Sequence, residues 1–235
     1  MQDRMSQNPA DAHPAIDPHA VETWIFDLDN TLYPAHCDLF AQVADRMGEF
    51  IARSFAISRE EADRLRTDYF KRYGTTLRGL MTEHGWDPKE FLDYVHEIDL
   101  SVIPELSRLE QALERLPGRK VIFTNGTTRH AGRVTQHIGI EHHFDAVFDI
   151  VDSDYEPKPA PAPYEKMVKA FRIDPRTAVM VEDIARNLEP AAAMGMTTVW
   201  VPGNKPWSGD GHREPFVHHV VEDLAEWLFA LAGER

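Results

Sequence analysis

The sequence predicts an α/β fold, a doubly wound parallel sheet with an all-helical segment inserted after its first strand. Three observations carry that expectation. From Lys120 onward, short apolar runs alternate with stretches of helical periodicity. An apolar run near the start, Trp24-Ile25-Phe26, has the same texture but stands apart from the others. Between them, residues 36–100 show helical pattern and nothing that reads as a strand. Strands that alternate with helices pair in parallel and bury both faces of the sheet, so the helical block interrupts one core.

Residues 1–20 are polar and proline-bearing without an apolar h-region, which predicts a flexible tail and not a secretory signal. Val21 to Leu28 predicts a buried first strand. Leu39, Val43, Met47, Phe50, Ile51 and Phe55 follow the period of an amphipathic helix. Ser58 with Glu61 reads as a capping box opening a second helix, which runs to Tyr73 and is interrupted by Gly74. Thr75 to His84 predicts a third, ended by Gly85, and Asp87-Pro88 opens a fourth. Pro104 to Leu116 predicts a helix stopped by Pro117-Gly118. Strands are then expected at Lys120 to Thr124, Ala146 to Val151, Thr177 to Val181 and Thr197 to Val201. Helices are expected at Arg129 to Ile138, Pro161 to Phe171 and Leu188 to Met194. In the last predicted helix, Val220 to Leu231, one apolar stripe fits either core or dimer packing, so monomer and homodimer both remain open. The expected organisation is a tail over 1–20, an α/β core over 21–35 and 101–235, and a helical unit over 36–100.

The 235 residues carry a formal net charge of −14. That excess of acid argues against nonspecific binding to nucleic acid or to an anionic membrane, both of which need basic surface. An anionic substrate would need the field reversed locally, by a divalent cation and a few Lys or Arg. The single cysteine, Cys37, forms no intrachain disulfide and is expected as a small buried hydrophobe. No apolar run approaches the length of about 20 residues that spans a bilayer. Without an export signal or disulfides, a cytoplasmic protein is expected. His142-His143 and His218-His219 lack the spaced histidines or cysteine partners of a zinc site and are expected as surface imidazoles.

Ligands of open parallel sheets sit at the carboxyl ends of the strands. The first strand delivers Asp27, Asp29 and Thr31, and the second delivers Thr124, Asn125 and Gly126. Lys158-Pro159 stands in the loop after the third, and Glu182-Asp183 ends the fourth with Asn187 behind it. If the first strand continues through Asp29, the two carboxylates lean to one side; if the chain bends, they converge at its end. Two buried carboxylates repel each other unless a cation lies between them. A carboxylate such as Asp27 can attack phosphorus and split one hard hydrolysis into two easier ones. Asp29 can protonate the leaving alkoxide and then deprotonate the attacking water. Mg²⁺ takes oxygen ligands in an octahedron, a demand met by Asp27, the main-chain carbonyl of Asp29 and Asp183, with Glu182 as a direct or water-mediated helper. The Thr124 hydroxyl, the amides around Asn125-Gly126 and Lys158 suit the oxygens of a transferring phosphoryl group.

These residues resemble the four motifs of the haloacid dehalogenase (HAD) superfamily: Asp27-Leu28-Asp29-Asn30-Thr31, Thr124, Lys158 and the pair Glu182-Asp183. The resemblance implies a Rossmann-like core with strand order 5-4-1-2-3 and a helical cap inserted after strand one. It implies Asp27 as nucleophile, Asp29 as general acid and base, Thr124 and Lys158 as clamps, and Asp183 as a ligand of Mg²⁺. Dehalogenating members lack the second aspartate, so Asp29 favours phosphoryl chemistry. Asn187 stands where many members carry a further aspartate. A narrower similarity, over Tyr73 to Leu80, Ile122 to Gly126 and Val181 to Leu188, is to the pyrimidine 5′-nucleotidase branch. It implies a nucleoside monophosphate substrate, with Tyr73, Thr76 and Arg78 touching base or sugar. The competing expectations are a phosphatase of another small metabolite such as a sugar phosphate or phosphoglycolate, a phosphomutase, or a non-catalytic binding module.

Overall fold

The computed structural model describes residues 13–203 and 205–233. Its centre is a parallel sheet of six strands, β1 (Thr23–Phe26), β2 (Arg119–Phe123), β3 (Ala146–Phe148), β4 (Ala178–Glu182), β5 (Thr197–Trp200) and β6 (His219–Val220). They lie in the order β3-β2-β1-β4-β5-β6. The five-strand order expected from the sequence is present, read from the opposite edge. The addition is β6, which pairs with β5 and whose second residue, Val220, opens the stretch expected as the final helix; that helix starts only at Leu224. The third strand is shorter than expected, because the chain turns after Phe148 into a loop that Asp149 ties by accepting from the amides of Val151 and Asp152.

Strand residues alternate between two buried clusters. Trp24 and Phe26 face one side of the sheet, and Ile25, Val121 and Phe123 the other. Period-2 alternation with both faces apolar is what a doubly covered sheet requires. α5 (Ser107–Arg115) and α9 (Leu224–Ala232) pack together on the Trp24 side, where Trp227 meets Trp24 edge to face. α7 (Pro161–Phe171) covers the other side through Tyr164 and Met167. α6 (Thr128–His137) and α8 (Glu189–Ala193) complete the alternation.

Between β1 and β2 stand α1 (Leu39–Phe55), α2 (Arg59–Tyr73), α3 (Thr76–His84) and α4 (Pro88–Val95). The capping box is present: Ser58 accepts from the Glu61 amide while Glu61 accepts from the Ser58 amide. Phe50 of α1 packs edge to face against Trp86 and Phe91. α2 and α3 approach closely at Gly79, where a Cβ would stand 2.4 Å from the Tyr69 ring. Gly74, at φ +82°, turns the chain from α2 towards α3 and lies against Pro157 and the Lys158 carbonyl. This turn therefore carries the helical unit onto the loop after β3.

The expected tail falls partly outside the described residues, at 1–12. Within 13–20, Asp17 caps a 3-10 turn over Pro18–Ala20, and Ile16 packs half-buried on the core. No helix among the described residues is long and apolar enough to cross a membrane.

Candidate active site

The register brings the carboxyl ends of the central strands level. Phe26 lies opposite Ile122 and Val181, and the Asp27 amide continues the ladder to the Val181 carbonyl at 2.9 Å. Asp27, Thr124, Glu182 and Asp183 consequently emerge along one edge, each almost wholly buried. The chain bends rather than continuing as a strand. Leu28 accepts from the amides of Thr31 and Leu32, and Asn30 takes a left-handed φ of 63°.

Lys158 is the hub. Its ammonium donates to Asp27 Oδ1 at 2.7 Å, Glu182 Oε2 at 2.6 Å and the Phe123 carbonyl at 2.8 Å. The Asn125 side chain accepts from the Lys158 amide at 2.9 Å, joining the loops after β2 and β3. The Thr124 hydroxyl accepts from the Gly126 amide at 2.9 Å, and a Cβ on Gly126 would stand 3.7 Å from Asp29 Oδ2. Thr31 donates to the other oxygen of Asp27 at 3.1 Å. Asp27 is thus gripped through both oxygens.

The charges do not balance among themselves. Burial, then Glu182, push the Asp27 carboxyl up to about 7, although Lys158 pulls it down. Burial, with Glu182 and Asp27 next, pushes Asp183 well above the carboxylate range. Burial works against the Lys158 charge, but Asp27 and Glu182 outweigh it and raise the ammonium above the ordinary lysine range. Oxygens of Asp27, Glu182 and Asp183 lie within 4.8 Å of one another. Hard oxygen donors crowded around a single ammonium form a donor set that fits Mg²⁺. Glu182 is the most committed of the three: besides Lys158, its Oε1 accepts from the Asn187 side chain at 3.1 Å and the Ile184 amide at 3.3 Å. Asn187 therefore supports Glu182.

Asp29 is held apart from that cluster. The Tyr33 hydroxyl donates to Asp29 Oδ1 at 2.7 Å, and His130 Nε2 stands 2.8 Å from the same oxygen. Burial works against its charge, but the His130 imidazole and Tyr33 hold its carboxyl down at about 2. Burial, then Asp29, raise the Tyr33 phenol well above its usual range, so it stays a neutral donor. The His96 ring stacks on His130 with centroids 4.4 Å apart.

Sequence reading missed Tyr33, His96 and His130. A signal existed for two of them. His130 lies in the first turn of the helix that follows the Thr124 loop, and Tyr33 lies just past Asp29, so both start near the strand ends. His96, at the exit of α4, had no local signal.

The three expected cap residues divide. The Thr76 hydroxyl is buried and donates to the Arg66 carbonyl at 3.3 Å, inside the helical unit. The Tyr73 hydroxyl is engaged by Glu83 and Arg72. Arg78 is half-buried, two residues into the helix that starts beside the Lys158 loop. Cys37 sits on a 3-10 turn before α1, half-buried rather than buried, and burial pushes its thiol up, away from a reactive thiolate.

A family model of haloacid dehalogenase-like hydrolases matches residues 21–195. Glyceraldehyde 3-phosphate phosphatase of Pyrococcus furiosus is 25% identical over 231 residues, 92% of this chain and 95% of that protein. Phosphate metabolism protein 8 of Saccharomyces cerevisiae is 26% identical over 201 residues, 78% of this chain. This chain spans 62% of that yeast protein's length. An HAD phosphatase from Thermococcus onnurineus shares the fold with a TM-score of 0.61 at 21% identity, covering 92% of this chain and 100% of that one. An L-2-haloacid dehalogenase from Xanthobacter autotrophicus does so at 0.55 and 16% identity, with 92% and 100% covered. The fold is shared by both chemistries, so the choice between them lies with side chains.

Proposed function

The chain belongs to the haloacid dehalogenase-like hydrolase family, and on that premise we propose that it is a Mg²⁺-dependent phosphomonoester hydrolase, with a nucleoside monophosphate as its leading substrate. The observation that carries the choice of phosphoryl chemistry is Asp29. It stands beside the Asp27 cluster, held by Tyr33 and His130 instead of by Lys158. A halide leaves without a proton, whereas an alkoxide needs one, so a second oriented carboxylate has work only in the phosphatase.

In the first step an Asp27 oxygen attacks phosphorus, the bond to the ester oxygen breaks, and that oxygen takes a proton from Asp29. Asp29, held ionised in the free site, takes up that proton as the substrate binds, and His130 Nε2, 2.8 Å away, orients its carboxyl group. In the second step Asp29 accepts a proton from water, the water oxygen attacks phosphorus, and the bond to Asp27 breaks, releasing inorganic phosphate. Lys158 holds Asp27 and offsets phosphoryl charge, while the Thr124 hydroxyl and the Gly126 amide lie beside the strand end for the phosphoryl oxygens. Asp27 and Asp183 would hold Mg²⁺, which supplies further charge neutralisation when bound. Glu182, tied to Lys158 and Asn187, positions the lysine.

For the leaving group, the turn at Gly74 supports a cap contribution, since this end of α2 lies against Pro157 and the Lys158 main-chain carbonyl. Arg78 is then the cap group available to a base or sugar. A second reading, a three-carbon sugar phosphate, is favoured by the Pyrococcus furiosus relative, which this chain matches over 92% of its length. Phosphate release measured over nucleoside monophosphates and sugar phosphates, with Mg²⁺ and with EDTA, separates the readings. Selective turnover of UMP or CMP with Mg²⁺ is expected. Preference for a triose phosphate would replace the nucleotide reading, and equal weak turnover of every ester would remove both.

A further inference from the structure

The doublet His142-His143 lacks a partner in the sequence, but the fold gives it one. It forms a 3-10 turn, Glu141–His143, between α6 and β3. Glu110, in the first turn of α5, lies across from it. Glu110 Oε1 is 3.6 Å from His143 Nε2 and 4.0 Å from His142 Nε2. One ligand atom from each of the three residues falls within 4.8 Å of the others. The two rings lie 4.0 Å apart between centroids.

The second observation is His143 itself. Its side chain is only 9% exposed, yet its Nε2 is buried without a hydrogen-bond partner. A buried ring nitrogen with no hydrogen bond, only a carboxylate at ion-pair distance, is a cost that folded proteins seldom carry without a reason. Glu110 stands just beyond hydrogen-bond reach, at 3.6 Å. Two ligand atoms bound tetrahedrally at zinc distances are separated by about 3.4 Å, so the gap suits a shared ion better than a direct bond.

We propose that Glu110, His142 and His143 form a binding site for one transition-metal dication, with Zn²⁺ the chemical fit, separate from the phosphate site. Imidazole nitrogens favour zinc-like ions over Mg²⁺, which prefers oxygen alone. Two histidines and a carboxylate leave a fourth position open for water. The turn precedes β3, at the amino end of the sheet, whereas Asp27 and Asp183 stand past the carboxyl ends of β1 and β4. An ion here would pin α5 to the turn before β3.

The test is calorimetric titration of Zn²⁺ into the tag-free full chain with saturating Mg²⁺, so that the acidic site at the strand ends is already filled. One Zn²⁺ per chain at micromolar concentration is expected. His142→Gln changes an exposed ring, and Glu110→Gln keeps the side-chain volume, so both are expected to fold. His143→Gln is the third variant. Each is expected to weaken that event at least about tenfold, while phosphate release with Mg²⁺ is unchanged. Absence of a Zn²⁺ event in the unaltered chain, or an event of equal strength in the Glu110→Gln and His142→Gln variants, overturns the proposal.

Discussion

The strand ends and the helical insertion treat their charges differently. At the strand ends, partners come from far along the chain: Lys158 with Asp27 and Glu182, and His130 with Asp29. In the insertion, many charges pair within one helical turn: Arg59 with Asp63, Arg64 with Glu60, Arg72 with Asp68, and Lys89 with Asp93. Exposed pairs of that kind are screened by water and contribute little to stability. The sheet therefore brings the strand-end charges together from distant parts of the chain, whereas many charges of the insertion are paired locally. The two regions meet at Asp29. Tyr33, where the chain leaves β1 for the insertion, binds it directly, and His96, where the chain leaves α4, stacks on the histidine that binds it.

The largest effect should come from the sheet. Asp27→Asn is expected to lower kcat at least about a thousandfold while circular dichroism is unchanged, as removal of a nucleophile does. Retained turnover would break the assignment of chemistry to the strand ends. Next is the group where the regions join. In kcat/KM, which reads the phosphorylation step, Asp29→Asn should cost about 10²–10⁴-fold on alkyl phosphates and much less on p-nitrophenyl phosphate, whose leaving group needs no proton, while kcat falls on both because Asp29 also deprotonates the water. His130→Gln should follow the same pattern at about 10- to 100-fold. Equal losses on both esters would make His130 a packing residue. The insertion should affect selectivity rather than chemistry. Arg78→Ala is expected to raise KM for the preferred substrate by about tenfold, the effect of losing one charged contact, with p-nitrophenyl phosphate unaffected. The smallest effect on catalysis is expected from Gly79→Ala. A Cβ there meets the Tyr69 ring at 2.4 Å, and overpacking should cost about 1–3 kcal/mol in a denaturant titration, with kcat little changed.

What could be read from the sequence follows the same division. Asp27, Thr124, Lys158 and the Glu182-Asp183 pair were visible because each ends or follows an apolar run, and parallel strands bring such ends together. Helix starts at Ser58 and Asp87 were visible because capping chemistry is local. His130 starts near a strand end, but the stacking of His96 on it joins residues far apart in the chain, and no local pattern announces that contact. The same holds for Glu110 opposite the His142-His143 doublet. Strand β6 was hidden because two residues carry no periodicity and its apolar Val220 reads as the start of a helix. In the insertion, the residue types at 73, 76 and 78 suit packing and ligand contact equally, and only neighbours in space separate Thr76, committed to Arg66, from Arg78.

The central claim is that phosphate passes through Asp27. Rapid acid quench of the enzyme turning over a phosphate-labelled monoester with Mg²⁺, followed by peptide mapping, reads it directly. The expected result is hydroxylamine-labile label on the peptide carrying Asp27, absent from the Asp27→Asn variant. Label on another residue, or turnover with no labelled protein at any quench time, would contradict it.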